Sequence, residues 1–268
     1  MLRAILITFA AMLIGFAAAD AFAAGELSPI ERRWVDGMAP VVADAAHDGL
    51  PLDIVVQPQD EPQAAPLALG FVDGRCKLVL SMRGNPRVEA TLSGLPPALQ
   101  SPALELMAAH EVGHCRRYLD GAWHGMPAHF RAEPPSGLSD SLRAAYDEMC
   151  ATRREEAYGD LSGLAWTSRR HPDDYAVLHA WLLAERSTDT LPGSQHDTVP
   201  WLRLAADPAA LRDGPLRAAV QTLWMRGLDG DRAGGAQPEG AGAAGTQPEH
   251  DAAELCTVTA APSRAGTP

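Results

Sequence analysis

Residues 110 to 114 read His110-Glu111-Val112-Gly113-His114, and no other stretch of the 268 residues restricts fold and chemistry as tightly. On an α-helix, positions i and i+4 lie one above the other on the same face. The two imidazoles can then grip one cation from adjacent turns, with Glu111 beside them. Two neutral nitrogens suit a borderline-soft dication, zinc above all, and a neighbouring carboxylate can take a proton from water activated there. The motif thus asks for a helix, and its surroundings supply one. Leu104, Met107, Ala108, Val112, Cys115 and Leu119 recur at three- and four-residue spacing between Pro102 and Asp120, among good helix formers. Gly113 is the weak point, costing about 1 kcal/mol relative to Ala. The competing reading makes His110 and His114 ordinary, partly buried histidines.

The chain opens Met1-Leu2-Arg3, is apolar from Ala4 to Ala19, and reaches Ala21-Phe22-Ala23, a small-x-small pattern. This reads as a cleaved secretory signal, residues 1–23, because the apolar run is short for a membrane span and no basic stop-transfer segment follows. An uncleaved anchor is the alternative. Periplasmic or secreted localisation follows, with no stable membrane insertion of the mature chain. The formal charge of −12 makes nucleic acid and anionic membrane surfaces poor partners. Four cysteines, Cys76, Cys115, Cys150 and Cys256, allow two disulfides in an oxidising compartment, with three connectivities open. A Cys115–Cys150 bridge would stiffen the region around His114.

Residues 27–47 read as a helix with Ile30, Trp34, Val35, Val41 and Val42 on its apolar face, broken at Pro40. Strands are expected at Leu52–Val56 and Leu67–Val72, then at Cys76–Met82, where Cys76, Leu78, Leu80 and Met82 alternate with Lys77, Val79 and Ser81. Asp73-Gly74 between the last two signals a hairpin. After the motif helix comes an irregular stretch from Gly121 to Gly137. A long helix then starts near Ser139 or Asp140 and runs through Ala157 toward Trp166, with Gly159 and Gly163 weakening its last turns. Another starts at Pro172, burying Leu178, Trp181 and Leu182. Residues 188–200 read as loop, and short helices resume from Trp201 to Leu228. From Asp229 to Pro268 the Gly-, Ala- and Pro-rich composition reads as a disordered tail, with Cys256 as a possible anchor. The expected fold class is α+β: one domain over residues 24–228, a small N-terminal hairpin followed by a predominantly helical part.

A catalytic zinc site takes three protein ligands and leaves one position open, so a third donor is needed. Asp120 is near in sequence, but Arg117 stands where the metzincin pattern requires Gly. Glu156-Ala157-Tyr158-Gly159-Asp160 places two carboxylates on one helical face, one able to ligate and the other to accept the free N–H of a ligand histidine. The bland alternative is a solvated Glu155-Glu156 pair beside Arg153 and Arg154. HEVGH followed on a later helix by Glu156-x-x-x-Asp160 resembles the gluzincin group of zinc metallopeptidases, in order and helical setting.

That resemblance implies a zincin-like fold, Zn2+ as cofactor, His110, His114 and Glu156 as ligands, Glu111 as general base, and Asp160 as orienter of the first histidine. It covers only these two motifs. The 41 residues separating His114 from Glu156 exceed the thermolysin-like spacing, so cleft architecture is not carried over. Gluzincins often add a His or Tyr that donates to the oxyanion, and His196 beside Asp197 is the candidate here, with Tyr158 and Tyr118 weaker ones. Otherwise Asp197 or Thr198 caps a helix beginning near Pro200. His124 and His129 read as surface or cleft-rim residues and the tryptophans as structural. The expected activity is hydrolysis of a peptide or protein substrate. A non-catalytic zinc-binding module in envelope assembly or protein binding is the competing class, and a closed four-ligand site would distinguish it.

Overall fold

The computed structural model describes residues 26–58, 64–127, 130–132, 137–188, 193–234 and 258–260. The signal expected at 1–23, His129 and Cys256 fall outside them. The first helix, α1 (Pro29–His47), begins with a capping box in which Ser28 and Glu31 satisfy each other's backbone N–H. It continues through Pro40 without a break. The lost hydrogen bond is compensated by burial of Trp34, Met38, Val41 and Ala45 on both sides of the proline.

Three strands follow: β1 (Leu52–Pro58), β2 (Leu67–Val72) and β3 (Arg75–Arg83). The hairpin expected between the last two is present. Val72 pairs with Arg75 across Asp73 and Gly74, and both turn residues have positive φ, 52° and 73°, as a two-residue primed turn requires. The strand order β1-β3-β2 was not legible in the sequence: β1 pairs parallel with the central β3, leaving β2 at an edge. Cys76, Leu78, Leu80 and Met82 are buried on β3, as the alternation predicts.

A short α2 (Arg87–Ser93) leads to α3 (Pro97–Leu119), which starts more than a turn before Pro102 and is buried almost all round. The irregular stretch after it contains a short β4 (Phe130–Ala132). Helix α4 (Asp140–Arg170) begins at Ser139, one of the two expected caps, and extends four residues past Trp166. Then come α5 (Tyr175–Ser187), α6 (Val199–Leu204), α7 (Ala209–Arg212), α8 (Leu216–Gly234) and β5 (Val258–Ala260). The start expected for the tail, Asp229, falls within α8, which continues to Gly234, and β5 pairs antiparallel with β4; residues 235–257 and 261–268 of the expected tail lie outside the described residues. Backbone pairing of a β-branched Val-Thr step asks for little apolar surface, so composition alone does not forbid it. The result is a mixed α+β molecule, mostly helical, with one small three-stranded sheet. Among the described residues no helix is long and apolar enough to cross a membrane.

Helices α3 and α4 form the centre, and glycines set their approach. A Cβ on Gly113 would lie 2.6 Å from Ser162 Oγ, and one on Gly163 2.6 Å from the Leu106 carbonyl oxygen. Gly159 and Gly163 therefore mark a close helix crossing rather than a weak helix end, and tertiary packing outweighs their propensity.

The Cys115–Cys150 bridge, one of the connectivities the sequence leaves open, does not form. Cys115 joins Cys76 with Cα atoms 5.8 Å apart, tying α3 to β3; Cys150 is also disulfide-bonded. Closing a loop of 39 residues stabilises by about 4 kcal/mol in the chain-entropy model.

Candidate metal centre

Adjacent turns of α3 carry His110 and His114 into one corner, and α4 brings Glu156 to meet them. His110 Nε2 lies 2.9 Å from His114 Nε2 and 3.5 Å from Glu156 Oε2, and His114 Nε2 lies 3.6 Å from Glu156 Oε1. With metal–ligand bonds of 2.0–2.1 Å and tetrahedral angles, donor atoms stand about 3.3 Å apart. The observed triangle fits such an ion. These three residues form the one cluster of possible metal donors found among the described residues.

The orientation of His110 fits a cation as well. Its Nδ1 donates to Asp160 Oδ1 at 2.9 Å, which turns Nε2 toward the triangle. Gly159 makes room for the ring, since a Cβ there would stand 2.7 Å from His110 Cε1. Asp160 is fully buried and heavily bound. Arg186 from α5 donates Nε–H to Oδ2 at 2.9 Å and Nη2–H to Oδ1 at 2.7 Å, while Thr198 Oγ1 donates to Oδ2 at 2.5 Å.

Burial works against a charged Asp160, but the Arg186 charge and the hydrogen bonds from His110 and Arg186 outweigh it and hold the carboxyl far below its usual range. Burial likewise opposes ionisation of Glu156, yet the adjacent His114 imidazole and the charges of His110 and Arg186 hold it at about 2. For His110, burial lowers the pKa, while the Asp160 hydrogen bond and the Glu156 and Asp160 charges raise it to about 9. The corner thus concentrates negative potential on Nε2, where a proton or a metal ion can neutralise it.

Glu111 lines the same cleft, and its carboxyl is pushed up, chiefly by burial. His196 reaches the cleft from the loop before α6, with Nε2 3.8 Å from Glu156 Oε2 and its side chain about half exposed. Thr198 binds Asp160 instead of capping α6, and Asp197 Oδ2 accepts from the Gly193 N–H. Asp120 lies apart from the corner, paired with Arg217. Tyr118 is in the cleft wall, whereas Tyr158 packs beneath the Arg117 guanidinium, 4.9 Å from its ring centroid.

Glu155 is not a solvated partner of Glu156. It is buried and takes a bidentate bond from Arg117, 2.5 Å from Nε and 2.8 Å from Nη2. Consecutive residues on a helix point about 100° apart, which sends Glu156 to the corner and Glu155 to the core. Three side chains of the cleft were missed by sequence reasoning. Arg186 was findable as the continuation of the buried Leu178–Leu182 stripe on α5. Trp123 and Trp181 line the cleft, contrary to a purely structural role for every tryptophan, while Trp34, Trp201 and Trp224 are core.

Replacing Asp160 with Asn should leave the same three candidate donors but lower the affinity for an added divalent ion such as zinc by about 10- to 100-fold, because His110 loses its charged anchor. Competition against a chromogenic chelator measures it, and wild-type affinity in Asp160→Asn would refute the role. Compared with protein-family models, curated proteins and solved structures, the chain matches none of them.

Proposed function

We propose that the chain is a zinc-dependent peptidase of gluzincin type, with a zincin-like fold, acting in the periplasm or outside the cell. The observation that carries this reading is a three-donor corner, His110, His114 and Glu156, opening onto a cleft of about 420 Å³ that also contains Glu111. Three protein donors beside an accessible cavity suit catalysis, whereas structural zinc is enclosed by four. A zinc ion held there would supply Lewis acidity, lowering the pKa of water and polarising a carbonyl. Glu111 accepts the proton from the attacking water on a carboxylate oxygen and returns it to the leaving amine. His196, at the open side, donates a hydrogen bond to the developing oxyanion.

A peptide substrate also suits the wall opposite α3. Edge strand β2 has no partner on its outer side among the described residues, and Leu67, Ala68, Leu69 and Phe71 line the cleft. An extended chain can add there through main-chain hydrogen bonds. The Cys76–Cys115 disulfide accords with an oxidising compartment.

The deciding experiment measures metal content and cleavage of a peptide library by mass spectrometry, before and after chelation. About one zinc per chain is expected, with cleavage lost on chelation and restored by zinc. A zinc-loaded protein that cleaves nothing, with a fourth protein donor visible by X-ray absorption, would favour the non-catalytic module.

A further inference from the structure

The rings on the C-terminal side of the metal corner form a column. Phe71 of β2 stacks on Tyr118 of α3, with centroids 4.8 Å apart and planes 16° apart; Tyr118 stacks on Trp123 at 4.3 Å and 22°, and Trp123 on His124 at 4.9 Å and 24°. Trp123 also meets the ligand His114 edge-on, with centroids 5.5 Å apart. Trp123, inside the column, therefore stands beside the candidate metal donors, and one end of the column is Phe71, which remains 36% exposed and lines the cleft.

Its placement is over-determined. Phe71 is directly opposite Cys76 in the β2–β3 ladder, so both project from one face of the sheet. Cys76 is bonded to Cys115, and Tyr118 lies three residues further along α3, on the adjoining turn. The disulfide thus brings the Phe71 and Tyr118 rings together. Phe71 marks the Tyr118 end of β2, so an extended chain laid along the free edge passes the metal corner and reaches the column. One turn of α3, about 6 Å, separates Tyr118 from His114. The side chains of an extended peptide near a carbonyl at the corner can span that distance.

We propose that the Phe71 end of this column is a specificity subsite that takes an aromatic side chain close to the hydrolysed peptide bond. The inference rests on the peptidase reading above and names its substrate class: peptides carrying Phe, Tyr or Trp near the cleavage point. Near-parallel rings present a flat terminal face, and offset stacking on it adds to simple apolar burial, which favours planar groups over aliphatic ones.

The test uses zinc-loaded Glu111→Gln protein, which holds peptide without turning it over, and a set of hexapeptides in which Phe, Leu or Ala occupies each position in turn. Titration calorimetry should show one position where Phe binds about tenfold more tightly than Ala, with Leu between them. Phe71→Ser in the same background should reduce that ratio below about threefold, while Leu142→Ser, on an exposed and distant surface, should leave it unchanged. Active protein should show the same preference in kcat/KM.

Cleavage without aromatic preference, or a preference surviving Phe71→Ser, overturns the subsite and leaves the peptidase reading intact. If no peptide is cleaved, the peptidase reading fails separately, and binding still decides the subsite: no Phe preference overturns it. Preferential binding of an N-acetylglucosamine oligomer, lost in Phe71→Ser, would identify the column as a sugar platform and overturn the aromatic-side-chain assignment.

Discussion

Under the peptidase reading proposed above, Glu111→Gln protein should retain its fold and about one zinc per chain while peptide hydrolysis falls by about 10²- to 10⁴-fold. The substitution preserves shape and removes only the ability to take a proton. Glu111 is on the motif helix between the two histidines but is not among the three clustered donors, so its loss leaves the metal triangle intact. Burial, the largest influence, pushes its carboxyl up; the His110 and His114 charges oppose that, and Glu156 adds to it. A carboxylate raised in this way is a better match for proton transfer near neutral pH than an exposed one. Purified wild type and variant, equalised for zinc content, are compared on the same peptide library. Undiminished cleavage by the variant would remove Glu111 from the mechanism, and loss of zinc would show it to be a ligand.

The neighbouring carboxylates Glu155 and Glu156 should separate stability from metal binding. Glu156→Ala removes one of three donors and should abolish stoichiometric zinc binding. Glu155→Ala strips Arg117 of its bidentate partner in a setting where the Arg117 side chain is only 6% exposed and its guanidinium lies 4.9 and 4.7 Å from the Tyr158 and Trp224 ring centroids. The Ala122 and Gly125 carbonyls still accept from Nη2, but an uncompensated buried charge of this kind costs about 3–5 kcal/mol. Urea unfolding of the metal-free proteins, beside zinc titration of the folded ones, reads both effects. The expected pattern is a large fall in midpoint for Glu155→Ala and a lost zinc isotherm for Glu156→Ala. The reverse pattern would exchange the roles of the two residues.

Local repeats in the sequence were enough to place the motif helix, the β2–β3 hairpin and the Ser139 start of α4. Each depends on a period or a turn type that neighbouring residues impose on one another. The same logic brought His110, His114, Glu156 and Asp160 into one proposal, because i to i+4 spacing on two helices specifies which side chains share a face. It could not specify that those faces meet. The close crossing of α3 and α4, made possible by Gly113, Gly159 and Gly163, is a tertiary fact, and from sequence all three glycines read as helix-weakening.

Pairing across long separations was equally illegible. The parallel β1–β3 ladder, the Cys76–Cys115 bond and the β4–β5 pair each join segments whose partners are chosen by the whole core rather than by their own residues. Arg186, Thr198 and Trp123 belong to the site for that reason. Their local sequence marks them as a helix terminus, a cap and a loop aromatic, and only the folded chain carries them to Asp160 and His114.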